Sequence, residues 1–274
     1  DNEKDPYSAR RGFWYAHFGW MIRDYPVTRT ELSNVKDLEK DPILIWQRKH
    51  YLVLLLLMNL GLPVLLGWLH GDIWGSLLLG GFLRLVLSQH FTYLINSAAH
   101  FWGKQTYDPQ QTARDNWFVA LLTFGEGYHN YHHTFAWDYR NGVKWYHYDP
   151  TKWLIKGCSW LKLAHGLRSC SRYRIELTRV MAQYSVTRSQ CEQSTEQESF
   201  QETLEHEYHR TLQSLHDWYE AQQLWYQARK SALSAELHHD MDLLRVRYME
   251  LKQQLEEQRH KWRLLVQRLQ LQSI

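Results

Sequence analysis

The chain has 274 residues, with 32 Lys and Arg against 29 Asp and Glu, and a net charge of +3 at neutral pH. That small excess does not mark a nucleic-acid binder, and three cysteines with no Cys-x-x-Cys spacing provide neither a disulfide framework nor a zinc ribbon. A mean hydropathy of −0.56 averages two unlike halves, a strongly apolar stretch over 43–99 and a tail over 185–274 rich in Gln, Glu, Arg, His and Leu.

Residues 1–41 mix polar and aromatic side chains, most densely between Arg10 and Trp20. Residues 42–100 predict a two-span transmembrane hairpin. Tyr51 to Leu69 contains no Lys, Arg, Asp or Glu, which meets the length of a bilayer core. Gly61 and Pro63 predict a bend in that helix. A tight turn at His70-Gly-Asp72 leads to a second apolar helix from Ile73 to Ala99, interrupted by Arg84 and His90. Gln47-Arg-Lys-His50 flanks the entry, and the turn carries no Lys or Arg. The basic side is therefore expected to be cytoplasmic, and so is everything after residue 100. A buried hairpin in a soluble protein is the alternative. It fails because the rest of the chain has too little apolar surface to cover both helices.

Residues 101–168 read as a cytoplasmic, aromatic-rich domain and residues 169–274 as a polar helical tail. From Leu237 a heptad runs through Met241, Leu244, Tyr248, Leu251, Leu255, Gln258, Trp262, Leu265 and Leu269, a coiled-coil pattern. A looser version passes through Leu204, Tyr208, Leu215, Trp218 and Trp225. The tail is expected to serve self-association or docking. The fold class expected for the whole chain is all-α: a membrane hairpin, a cytoplasmic helical cap and a coiled-coil-like tail.

The chemistry concentrates in Gly125-Glu-Gly-Tyr-His129-Asn-Tyr-His132-His133. Imidazoles at i, i+3 and i+4 share one face of a helix. Neutral imidazole binds iron, zinc and copper. His100, at the mouth of the second span, is a fourth candidate. His-x-x-His-His lacks the glutamate of the His-Glu-x-x-His zinc hydrolases. Glu126 either orients a ligand imidazole from behind or is a solvated carboxylate. His90, an ionisable group inside a span, is a functional candidate or a helix–helix hydrogen-bond partner. The histidines beyond residue 200 read as solvated helix faces.

Asn96-Ser-Ala-Ala-His100 followed by Gly125-Glu-Gly-Tyr-His-Asn-Tyr-His-His133 resembles the C-terminal half of the acyl-CoA Δ9 desaturases of the stearoyl-CoA type. Asp5-Pro-Tyr-Ser-Ala-Arg-Arg-Gly-Phe13 with Gly19-Trp20 resembles the stretch after that family's second histidine box. The resemblance covers roughly residues 1–168. It implies a membrane-embedded enzyme that inserts a double bond into an acyl chain, with O2 as co-substrate, a histidine-held pair of irons, and two electrons from a small carrier (a ferredoxin, a rubredoxin or a cytochrome b5-like protein). By position, His100, His129, His132 and His133 match iron ligands and Asn96 a residue that reaches iron through water. Thr92 and Tyr93 match positions at the bend of the acyl tunnel, where Tyr93 departs from the more usual Trp. Arg11, Trp20 and Arg23 lie where the cap meets the CoA end of the substrate; another acyl carrier is the alternative.

The family's first two histidine boxes and first two spans would precede Asp1. The expectation is therefore an incomplete chain, inactive alone, from a protein active at full length. Two rival functions remain at this point: a histidine-rich membrane hydroxylase or alkane oxygenase, and a membrane-anchored coiled-coil adaptor without catalysis.

Overall fold

In a computed structural model, residues 5–23, 36, 38–192, 197–231 and 237–272 are described. Among them every regular element is helical, and the β-type pairing consists of two isolated bridges, Lys104 with Asp115 and Asp115 with Tyr128. The chain forms two units. The first comprises Asp1–Lys104, Thr112–His129 and Arg140–Cys158; the second comprises Gln105–Gln111, Asn130–Tyr139 and Ser159–Ile274.

The first unit opens with a short aromatic helix, α1 (Phe13–His17). Helix α2 (Pro42–Lys49) starts where Asp41 accepts from the backbone N–H groups of Ile43 and Leu44, with Pro42 at the position that needs no N–H. The hairpin follows as α3 (Tyr51–His70) and α4 (Ile73–Phe101), both long and apolar enough to cross a membrane. At 1.5 Å per residue, the 20 residues of α3 reach about 30 Å, the thickness of a hydrocarbon core. Only 11% of the most apolar stretch of α3 and 6% of that of α4 is buried, which is the opposite of a soluble core hairpin.

Packing within the hairpin follows from a few residues. Pro63 has no N–H for the carbonyl of Asn59 four residues earlier, and the helix widens there into a π-helical turn, Leu57–Gly61. The bend expected at Gly61 and Pro63 thus takes the form of a widened turn, with the helix running on through it. Gly81 of α4 packs against that carbonyl: a Cβ on it would sit 2.9 Å from the Asn59 oxygen. Arg84, a mid-span charge, donates to the Gly80 carbonyl and to the Asn59 side chain, so two of its donors are satisfied inside the hairpin. The turn is set by Asp72, whose carboxylate accepts from Gly75 N–H at 2.8 Å.

Past the hairpin come α5 (Trp117–Leu122) and α6 (His129–Thr134). The division between the two units falls inside α6, after His129, but the helix is uninterrupted. Its own backbone therefore sets the spacing of its histidines.

The second unit is built on three helices, α7 (Arg172–Cys191), α8 (Gln197–Ser231) and α9 (Leu237–Gln272). Ser171 caps α7 by accepting from Arg174 N–H. One apolar cluster joins Val180, Leu204, Trp262, Val266 and Leu269; a second joins Leu215, Trp218, Leu251 and Leu255. The heptad seam expected from Leu237 onward is therefore spent against the chain's own α7 and α8. Leu251, Leu255, Gln258, Trp262 and Leu269 are buried there, and Tyr248 and Leu265 partly so. The Leu237 side chain lies outside the described ones. Two polar side chains of α9 on the seam are paired: Gln258 donates to Glu207 and Thr211, and Trp262 Nε1 to Gln183. The tail also reaches the segment that follows the last histidines. Asp138 accepts from the Tyr131 hydroxyl at 2.6 Å and from Cys170 N–H at 2.7 Å.

Candidate metal centre

The end of α4 turns before it stops. Ser97, at φ −104° and ψ −80°, leaves helical geometry, and Ala98–Phe101 forms one further turn that carries His100. Ala98 and Ala99 are buried against Val119 of α5, which puts that turn beside the loop leading to His129.

His129 is brought to the same place by main-chain pairing. Lys104 and Asp115 exchange two backbone hydrogen bonds, and Asp115 bridges to Tyr128. Asn116 N–H donates to the Gly127 carbonyl at 2.7 Å. Gly127 passes so close to α5 that a Cβ would lie 2.1 Å from the Ala120 nitrogen. The loop can pass over α5 only because residue 127 has no side chain, and α6 starts two residues later with His129.

The rings of His100 and His129 have centroids 5.0 Å apart at 71°. His133 lies one helical turn beyond His129 on the same face. One nitrogen from each of His100, His129 and His133 lies within 4.8 Å of the other two. Nδ1 of His100 is 2.8 Å from Thr112 Oγ1, which leaves Nε2 as the ligand nitrogen and fixes the ring plane. His129 is buried, His100 half-buried and His133 exposed, so the cluster is open on one side.

The donor set suits a first-row metal. Imidazole nitrogens bound at about 2.1 Å to one ion lie roughly 3.5 Å apart, so the three rings would draw together on binding an ion. Three imidazoles with an open side leave room for a further ligand or substrate.

The other expected site residues fall in three places. His132 is on α6, its ring 5.9 Å from that of His133. Asn96 is half-buried in the last turn before the Ser97 break, four residues from His100. Glu126 accepts from the Asn141 side chain at 3.2 Å. Along α4, the Thr92 hydroxyl donates to the Ser88 carbonyl, while Tyr93 packs edge-on against His17 and His90. In the cap, Arg11 and Arg23 converge on one ring: their guanidinium carbons lie 5.2 and 5.7 Å from the centre of Tyr15. Trp20 packs edge-on against Tyr7. Two contacts escaped sequence reasoning. Thr112 sits in a loop with no periodicity to flag it. His17 is masked by an aromatic run, although its i+4 spacing from Phe13 was a usable signal.

Residues 1–165 match the family model described as fatty acid desaturase. Acyl-CoA desaturase 1 of Saccharomyces cerevisiae is 44% identical over 177 residues, 64% of this chain and 35% of the relative. The probable acyl-CoA desaturase of Schizosaccharomyces pombe is 45% identical over 170 residues, 62% of this chain and 36% of the relative. Stearoyl-CoA desaturase 5 of Bos taurus is 37% identical over 182 residues, 64% of this chain and 54% of the relative. The chain thus spans about a third of the two yeast proteins and about half of the bovine one.

Proposed function

Because this chain belongs to the fatty acid desaturase family, we propose that it carries part of the metal centre of an acyl-CoA desaturase, with His100, His129 and His133 as iron ligands. The observation that carries the proposal is the meeting of these three imidazoles at the end of an apolar helix long enough to span a bilayer. Bound iron would supply oxidising power from O2, with electrons from a small carrier such as a ferredoxin, a rubredoxin or a cytochrome b5-like protein. The complete centre would hold two irons, with Asn96 on α4 and His132 on α6 as further donors. The activity proposed is that of the whole protein.

The chain's own residues then have separable tasks. Thr112 orients the His100 ring. Arg11 and Arg23, at 5.2 and 5.7 Å from the centre of the Tyr15 ring, present two guanidinium groups on the cap that would suit the phosphates of a CoA carrier; Trp20 would add an aromatic wall. Thr92 and Tyr93 on α4 would line the acyl chain. The lipid bilayer holds the hairpin, and positive flanking charge puts the histidine end on the cytoplasmic side.

The test is to express the complete protein in cells lacking their own Δ9 desaturase and to analyse the acyl chains by mass spectrometry. New monounsaturated chains, lost with His129→Ala, are expected. Hydroxylated chains without alkenes would replace the proposal with a membrane hydroxylase.

A further inference from the structure

His17 makes contacts that none of these assignments uses. It is buried in α1, with Nδ1 2.9 Å from Ser97 Oγ and Nε2 3.1 Å from Nδ1 of His90. Ser97 Oγ also lies 2.9 Å from the Tyr93 carbonyl, to which the hydroxyl alone can donate. That fixes the direction of the chain of bonds. The Ser97 hydroxyl donates to Tyr93, so Oγ accepts from the Nδ1–H of His17. Nε2 of the neutral ring then accepts from Nδ1–H of His90. Stacking on Phe13 at 5.7 Å and 9° holds the plane of the His17 ring.

Ser97 is the residue at which α4 leaves helical geometry, and its carbonyl accepts the N–H of His100 at 2.9 Å. One residue is thus gripped by His17 through its side chain and carries His100 through its main chain. Rotation at Ser97 would swing the His100 imidazole, three residues on, away from His129. The Ser97 hydroxyl is thus held from two sides, by the Tyr93 carbonyl it donates to and by the His17 ring it accepts from.

We propose that His17 is a positioning residue for the histidine cluster: acting through Ser97, it locks the break in α4 that aims His100 at His129. This rests on His100 being a metal ligand.

The test uses the 274-residue chain in lipid nanodiscs with Co2+ as probe, reading affinity and ligand-field absorption. His17→Phe keeps the stacked ring and removes both nitrogens. Affinity should fall at least about tenfold, the usual scale for residues that orient a ligand, and the absorption should shift toward that of His100→Ala. Ser97→Ala should do the same, and the double variant should be no worse than either single one, since both break one contact. His17→Asn, which keeps an N–H near the Nδ1 position, should restore most of the affinity. Wild-type binding and spectrum in His17→Phe, confirmed folded by circular dichroism, or losses that add in the double variant, would overturn the proposal. If His17→Phe does not fold, Ser97→Ala decides by the same criteria. If His100→Ala and His129→Ala bind Co2+ as the wild type does, the metal centre itself is wrong and this proposal falls with it. If those two lose Co2+ while His17→Phe and Ser97→Ala do not, only the role of His17 is wrong.

Discussion

Thr112 Oγ1 lies 2.8 Å from Nδ1 of His100 and is the polar contact that decides which nitrogen of that ring faces the cluster. A threonine twelve residues along an irregular loop is held there by the pairing of Lys104 with Asp115. Removing the hydroxyl should free the ring to rotate. Thr112→Val is expected to weaken Co2+ binding by about tenfold and Thr112→Ser to leave it nearly unchanged. Calorimetric titration of both variants checks this; equal affinities for the two would remove Thr112 from the account.

Gly127 and Gly157 predict opposite outcomes for one substitution. A Cβ on Gly127 would meet backbone atoms of Val119 and Ala120, which cannot step aside, whereas a Cβ on Gly157 meets nothing within 4 Å. Gly127→Ala should lower the melting temperature and abolish metal binding, because α6 can no longer start where it does. Gly157→Ala, inside the helix Pro150–Trp160, should be neutral or stabilising by about 0.5–1 kcal/mol. Thermal melts of both variants decide it.

The tail is stabilised by its own core, and Trp262 is its best probe. It is 2% exposed and donates Nε1 to Gln183. Trp262→Ala should cost about 3–5 kcal/mol, and the exposed Lys261→Ala within about 0.5 kcal/mol. Limited proteolysis should then cut α9 rapidly in the first variant and not in the second. Because the seam faces α7 and α8, Lys261→Ala should also leave the oligomeric state unchanged in light scattering.

Acid should loosen the contact between α1 and α4. Burial first, and the His90 imidazole second, hold the His17 pKa below the ordinary 6.5, with the Tyr93 carbonyl pulling the other way. A histidine with a depressed folded-state pKa stabilises the fold fully above the unfolded value, and that stability is lost as pH falls through the folded value. The ionisable groups facing the ring are His90 and Tyr93 of α4. Melting temperature should therefore decline below pH 6.5, and less steeply in His17→Asn. Parallel slopes would contradict the assignment.

The helices and the histidines were legible because both follow simple periods. Nineteen residues without charge match the length of a bilayer core, and i, i+3, i+4 imidazoles share a helix face in any fold. The heptad through Leu251, Leu255 and Trp262 reads as a coiled coil for self-association or docking, and these residues are buried against α7 and α8. Its partner was illegible, because a seam looks the same whether the facing helix belongs to another copy or to the same chain. Thr112 and Ser97 could not be found by period at all. Their placement depends on a loop pairing and on a helix break, which are products of tertiary packing. Glu126 could be read equally as orienting a ligand imidazole or as a solvated carboxylate, and its hydrogen bond with Asn141 is a contact that no period announces.

Whether these imidazoles hold iron is decided by iron K-edge X-ray absorption of the purified complete protein. Bound iron with a nitrogen-rich shell of imidazole character is expected. Iron content should fall in His100→Ala and in His129→Ala, while the tail substitution Lys261→Ala changes nothing. Undiminished iron with an identical spectrum in both histidine variants would show that these imidazoles hold no metal.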